Sequence, residues 1–202
     1  MLLTTSCAGC DAPGSVICRT CRFALIARHE PPAPPGVLAA VSFAGRARDV
    51  LLGFKYRNRR PVAGHLAGLL VNRLARSGQQ VDVVTWAPTA ARRRRGRGYD
   101  QAELIARHVA RQLGLPCRRL LERQGAAGVQ TGRDRAGRLA GPAFLARPRV
   151  PSARVLVVDD VVTTGATLAA AAAALRAAGA VQVIPAAVAS TPADRVLAQR
   201  VA

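Results

Sequence analysis

One thirteen-residue stretch restricts what this chain can fold into more than any other: Val155-Leu156-Val157-Val158-Asp159-Asp160-Val161-Val162-Thr163-Thr164-Gly165-Ala166-Thr167. Residues 155–158 make an apolar run of strand length. A run without polar alternation suits a parallel strand covered on both faces. The alanine-rich segment 168–178 has high helix propensity, and Gly179 stands where a helix stops. The carboxylates and the hydroxyl-rich loop therefore fall between the carboxyl end of a strand and the amino end of a helix. Open α/β sheets bind ligands at that point.

The residues of the loop define its chemistry. Backbone N–H groups at a helix start, with the helix dipole behind them, attract an anion. Thr163, Thr164 and Thr167 add hydroxyl donors, and Gly165 permits a close backbone approach or a positive φ. A phosphate fits this set. Asp159 and Asp160 repel a phosphate, so they need another partner. Vicinal sugar hydroxyls qualify, because a carboxylate accepts charge-assisted bonds from both. The plainer alternative is a buried strand followed by an ordinary capped helix. It leaves two adjacent carboxylates without a use, which is costly. The stretch is neither a Walker loop nor a G-x-G-x-x-G dinucleotide loop. It resembles the phosphoribosyl pyrophosphate (PRPP) loop of type I phosphoribosyltransferases. That resemblance implies that Asp159 and Asp160 hold the ribose 2′- and 3′-hydroxyls. It also implies that Thr163, Thr164, Gly165, Ala166 and Thr167 wrap the 5′-phosphate, with Val161 and Val162 in the same binding segment.

A chain of 202 residues can bury one sizeable core, which predicts one main domain and an appendage. No apolar run reaches the roughly 18 residues needed to span a membrane. Residues 1–7 carry no basic n-region, so the expectation is a cytoplasmic protein with reduced thiols. The net charge of +19 suggests polyanionic partners. Lys55 is the only lysine, however, and the wealth of arginine and alanine looks partly like coding bias. Aromatic residues are scarce, which leaves little surface for stacking single-stranded bases.

Near the N-terminus stand Cys7-x-x-Cys10 and Cys18-x-x-Cys21. Two such pairs joined by a short loop fit tetrahedral zinc. Free or disulfide-bonded cysteines and a redox role are the alternatives. The expected purpose of a metal here is structural, because so small a segment cannot bury its own core. The proline-rich segment 31–36 reads as an extended, stiff linker. The predicted division is a finger over 1–30, a linker over 31–36 and a phosphoribosyltransferase-like domain over 37–202.

Within that domain, residues 37–43 read as a first strand and 46–54 as a short helix. The basic run 55–60 follows, for which a solvated loop is the simplest reading. Leu66, Leu69, Leu70 and Leu74 lie at helical spacing, closed by Ser77-Gly78. Residues 81–88 make a second buried strand. A helix from about Gln101 carries Leu104, Ile105, Val109 and Leu113 on one face and ends before Pro116. Residues 118–121 are placed as a strand, 122–149 as a long functional loop, 181–189 as a last strand and 194–201 as a final helical turn or two. This alternation predicts an α/β doubly wound parallel sheet.

The run 92–97 has three readings: a solvated loop, a nucleic-acid contact in which arginines neutralise phosphates, and an active-site loop for pyrophosphate. It follows a strand end in the predicted sheet, and arginine forks suit pyrophosphate oxygens. In combination, the paired cysteines, Phe54-Lys55-Tyr56, Arg95-Gly-Arg97-Gly-Tyr99-Asp100-Gln101, Gln130-Thr-Gly132 with Arg135 and Arg138, Gly141-x-Ala-Phe144 and the PRPP loop resemble the ComF family. That family has Phe-Asn where this chain has Tyr99-Asp100.

The resemblance implies a phosphoribosyltransferase-like protein that binds PRPP with Mg²⁺ and carries structural Zn²⁺ on Cys7, Cys10, Cys18 and Cys21. A nitrogen acceptor displaces pyrophosphate from C1 of PRPP through an oxocarbenium-like transition state. Lys55, Arg95 and Arg97 are the candidates for stabilising the departing pyrophosphate. Asp159 and Asp160 are candidates for a further catalytic role as a base toward the acceptor. The alternatives are a non-catalytic PRPP-binding module and a nucleic-acid-handling factor, with DNA or the competence machinery as partner. The residues specify no acceptor.

Overall fold

We describe a computed structural model over residues 5–26, 30–91, 95–96, 98–124, 143–148 and 150–192. Along the chain run helix α1 (Arg19–Phe23), strand β1 (Leu38–Ser42), helix α2 (Gly45–Tyr56), a 3-10 turn at Arg60–Val62 and helix α3 (Ala63–Ser77). Strand β2 (Val83–Trp86), helix α4 (Gln101–Leu113), strands β3 (Leu121–Arg123), β4 (Phe144–Ala146) and β5 (Arg154–Val162), helix α5 (Ala166–Ala177) and strand β6 (Gln182–Ser190) follow.

Four strands form a parallel sheet in the order β1-β6-β5-β2. Val155 to Val158 of β5 are buried, as an apolar run in a central parallel strand requires. Side chains alternate across a strand. Leu156 and Val158 join the core under α2, α3 and α4, while Val155 and Val157 join the core under α5. The sheet is thus covered on both faces, as the alternation of strands and helices predicts. Each fully buried Val or Leu contributes about 1.5–3 kcal/mol of transfer free energy.

The structure amends three expectations. First, β5 does not stop before the carboxylates. It continues through Asp159 and Asp160 to Val162, because β6 is equally long and keeps the register to Ser190. The acidic pair is therefore held by the sheet. Second, the strand expected over 118–121 is displaced. Backbone bonds from Val84 to Pro116 and from Arg118 to Val84 extend the β2 edge around Cys117. The strand proper, β3, pairs antiparallel with β4 inside the stretch read as one long loop. Leu121 and Phe144 bury themselves in the core under α5, which explains this hairpin. Third, the cysteine segment, expected to stand off beyond a stiff linker, packs on the domain. Cys7, Ala8, Ile17, Cys21 and Leu25 are buried in the same cluster as Val50, Leu51 and Phe54 of α2. The stretches Gln130–Gly132 with Arg135, Arg138 and Gly141, and the predicted helix over 194–201, lie outside the described residues.

The linker is tied down on the sheet. Glu30 pairs with Arg73 of α3 at 2.9 Å, and the Ser190 hydroxyl donates to the Pro32 carbonyl. Pro34 packs on Gly165.

Candidate active site

A cleft of about 500 Å³ opens at the carboxyl ends of the parallel strands. Phe43 follows β1, Pro88 and Thr89 follow β2, Asp159 to Val162 end β5, and Thr191 follows β6; all of them line it. Thr163, Thr164, Gly165, Ala166 and Thr167 complete the wall. The structure thus gathers the whole segment 159–167 on one cavity.

The loop between β5 and α5 takes its shape from Gly165, whose φ is +82°. A side chain at this left-handed position costs strain. A Cβ there would also lie 3.0 Å from Pro34. As the N-cap of α5, Gly165 offers no side-chain acceptor, so the N–H groups of the first helical turn point toward the cleft end without a cap from it. Thr164 Oγ1 sits 3.4 Å from the Ala166 N–H, and the Thr163 and Thr191 hydroxyls approach to 3.4 Å. Gly165→Ala is expected to lower stability by about 1–3 kcal/mol, through strain and the Pro34 contact. Denaturant unfolding measures this directly.

The carboxylates differ from each other. Asp160 faces α2, and its Oδ1 lies 3.0 Å from Lys55 Nζ. Asp159 accepts the Asp160 N–H at 2.8 Å. Its carboxyl is pushed up to about 8, first by desolvation and then by the Asp160 charge, with Lys55 pulling the other way. A third carboxylate, Asp100, is buried at the N-cap of α4. It accepts the Thr89 N–H at 2.8 Å as well as the N–H groups of Ala102 and Glu103. Burial pushes its carboxyl pKa upward too. It fastens the turn after β2, one wall of the cleft, to α4.

Lys55 reaches the cleft; Arg95 does not line it. Arg95 borders a second hollow with Arg60, Tyr99, Glu103 and Arg107, and Arg97 lies outside the described residues. Tyr56 of the Phe54-Lys55-Tyr56 motif lines the cleft, and so do Arg48, Thr89, Arg123 and Thr191, which the sequence did not single out. Arg48 had a readable signal: it precedes Lys55 by two helical turns and shares its face. Arg123 had none, because the β3–β4 pairing delivers it. Its guanidinium lies 5.6 Å from the Phe144 ring centre and 3.4 Å from the Pro88 carbonyl.

The other cluster is cysteinyl. The Sγ atoms of Cys7, Cys10, Cys18 and Cys21 lie within 4.8 Å of one another, and Cys10 and Cys18 are 3.7 Å apart. A tetrahedral zinc with Zn–S near 2.3 Å has S···S edges of about 3.8 Å, so the donor set fits that ion. Cys7 Sγ accepts the N–H groups of Gly9 and Cys18, and Cys18 Sγ accepts that of Cys21. These bonds favour thiolate. Burial opposes ionisation of Cys7, but the backbone donors outweigh it and hold the thiol at about 6.

Residues 100–201, just over half of the chain, match the family model described as phosphoribosyl transferase domain. Three solved structures are similar to part of the chain. Glutamine PRPP amidotransferase from B. subtilis is 24% identical, with 62% of this chain and 25% of that one covered and a TM-score of 0.44. Purine phosphoribosyltransferase from Pyrococcus horikoshii is 19% identical, with 64% and 74% covered and a TM-score of 0.43. Adenine phosphoribosyltransferase from Leishmania donovani is 18% identical, with 69% and 57% covered and a TM-score of 0.41. The chain spans a quarter of the length of the first of these. No curated protein matches it. Among the described residues, no helix is long and apolar enough to cross a membrane. On the match over residues 100–201, the chain belongs to the phosphoribosyl transferase domain family.

Proposed function

We propose that the cleft binds PRPP and that the protein transfers its phosphoribosyl group to a nitrogen acceptor, releasing pyrophosphate. The observation that carries this reading is the convergence on one cleft of two sheet-held carboxylates and a helix start whose N-cap, Gly165, has no side chain, three residues beyond β5. The first-turn N–H groups and the threonine hydroxyls take the 5′-phosphate. Asp159 and Asp160 accept the ribose 2′- and 3′-hydroxyls. Lys55, already 3.0 Å from Asp160, supplies charge to the pyrophosphate side. Carboxylates at the strand ends also suit a hard cation shared with substrate phosphates. Mg²⁺ arriving with PRPP would neutralise the departing charge. The remaining work is positioning. Asp159, whose carboxyl is pushed up to about 8 by burial and the Asp160 charge, releases its proton to solvent as it accepts the ribose hydroxyls, and once ionised it is the group placed to take a proton from the acceptor nitrogen.

The cysteine cluster supports a structural zinc, and with the cleft it favours the ComF resemblance. Pyrophosphate release from PRPP and Mg²⁺, screened over nitrogen acceptors, tests the transferase reading.

Arg95 borders the other hollow, which favours a partner surface for it, DNA included, over pyrophosphate. Lys55→Ala is therefore expected to weaken PRPP binding at least tenfold, the loss of one charge-assisted bond of about 1.5–3 kcal/mol. Arg95→Ala should leave it near the wild-type value. Calorimetric titration of both variants separates the two roles. Equal losses would return Arg95 to the pyrophosphate side.

A further inference from the structure

The last turn of α2 is gripped from opposite sides. On one side, the backbone of the first cysteine knuckle presses on Gly53. A Cβ at that position would lie 1.9 Å from the Ala8 carbonyl oxygen. The Arg57 guanidinium donates to the same carbonyl at 2.6 Å and pairs with the Asp11 carboxylate. Arg59 reaches that carboxylate at 2.9 Å. Positions four apart share a helix face, so Gly53 and Arg57 together present one face to the finger. Lys55 is about 200° from each around the axis. It extends from the other side into the cleft, to Asp160. Between them Phe54 is fully buried, and its carbonyl accepts the Tyr99 hydroxyl.

Two details show that the finger's seat is specific. Glycine in a helix costs stability relative to alanine; at 53 it allows the knuckle backbone to touch the helix. Asp11 holds a φ of +60°, which few residues other than glycine adopt, and its carboxylate serves Arg57 and Arg59.

We propose that the cysteine finger is a strut for the cleft: seated on Gly53 and Arg57, it holds the last turn of α2 where Lys55 meets Asp160, and so sets the cation that receives an anionic leaving group. The nature of that anion rests on the PRPP reading; the placement of Lys55 does not. Gly53, Arg57 and Asp11 are positioning residues in this account, acting through Lys55.

Lys55 is the only lysine in the chain. Protein grown on [ε-13C]lysine therefore gives one lysine resonance, and Asp160→Asn marks its position without the ion pair. We expect Gly53→Ala, and to a smaller extent Asp11→Ala, to move the resonance toward the Asp160→Asn position. Leu175→Ala, which thins the core under α5, should leave it in place despite lost stability. PRPP binding should weaken about tenfold in Gly53→Ala, while ribose 5-phosphate, which lacks pyrophosphate, binds much as before. A resonance unmoved in both variants would overturn the proposal. If Gly53→Ala does not fold, Asp11→Ala decides by the same signal. If the wild type does not bind PRPP, the functional reading falls, and the resonance still judges the strut.

Discussion

Replacing Asp159 and Asp160 together by asparagine is expected to abolish stabilisation by PRPP and Mg²⁺ while leaving the protein folded. Both side chains sit at the cleft end of β5, and the pairing with β6 that holds them uses only backbone groups. At 100 times its dissociation constant a ligand adds about 2.7 kcal/mol. For a chain of this length that is about 5–10 °C in melting temperature, all of it lost in the double variant. Asp159→Asn alone should stabilise the free protein, and more so at pH 9 than at pH 5. Unfolded, an aspartate titrates near 3.9; folded, Asp159 is pushed up to about 8. Between those values the folded state holds a proton that the unfolded chain has released. The contribution of this group is thus fully present below about 3.9 and is lost as pH rises toward 8. Each tenfold change in acidity corresponds to about 1.4 kcal/mol. Water at the cleft mouth reduces what is realised, and a gain on the order of 1–3 kcal/mol is expected at alkaline pH. Calorimetric scans at the two pH values measure it. A double variant still stabilised by PRPP would contradict the roles given to this pair.

Cys21→Ser should be among the most damaging single substitutions. Cys21 is fully buried, and its Sγ completes the four-sulfur cluster. Zinc binding in small fingers contributes about 10–16 kcal/mol of apparent free energy, which is also their folding energy. Without it, the contacts of Arg57 and Arg59 alone must keep Ile17 and Leu25 on Val50 and Leu51 of α2. Exposing that shared core is expected to cost the domain about 3–5 kcal/mol. Zinc content should fall from one ion per chain to none. Chelation should have the same effect, and through α2 it should also weaken PRPP binding. The linker reading alone expects the opposite, that chelation loosens residues 1–30 and spares the cleft. Wild-type protein that is metal-free under reducing conditions and takes up no added zinc would refute the metal account.

The sheet was legible because its central strand is apolar on both faces and helices α3 and α4 carry one apolar stripe each. Leu66, Leu70 and Leu74 of α3, and Ile105 and Val109 of α4, are buried as their spacing implies, while Leu69, Leu104 and Leu113 of the same stripes are half-buried at the core's edge. Strand length was harder to read. Asp159 and Asp160 look like loop residues until β6 supplies partners as far as Ser190. The β3–β4 hairpin is equally silent, since it joins segments more than twenty residues apart through Leu121 and Phe144. The seat of the finger was illegible for a related reason. Gly53 reads as a tolerated glycine inside a helix, and only the long-range contact with Ala8 gives it a purpose. Arg95 follows a strand end in sequence, which suggested the cleft. The bonds between Thr89 and Asp100 fasten the turn after β2 to α4, and Arg95 lies at the hollow beside that helix instead.

The central claim is that the cleft is a PRPP site, and calorimetric titration of the wild-type protein with PRPP in the presence of Mg²⁺ tests it most directly. We expect one saturable site per chain, weakened by Lys55→Ala, lost in the Asp159→Asn, Asp160→Asn double variant, and competed by ribose 5-phosphate. Absence of binding heat at millimolar PRPP, with an unchanged melting temperature, would contradict the account.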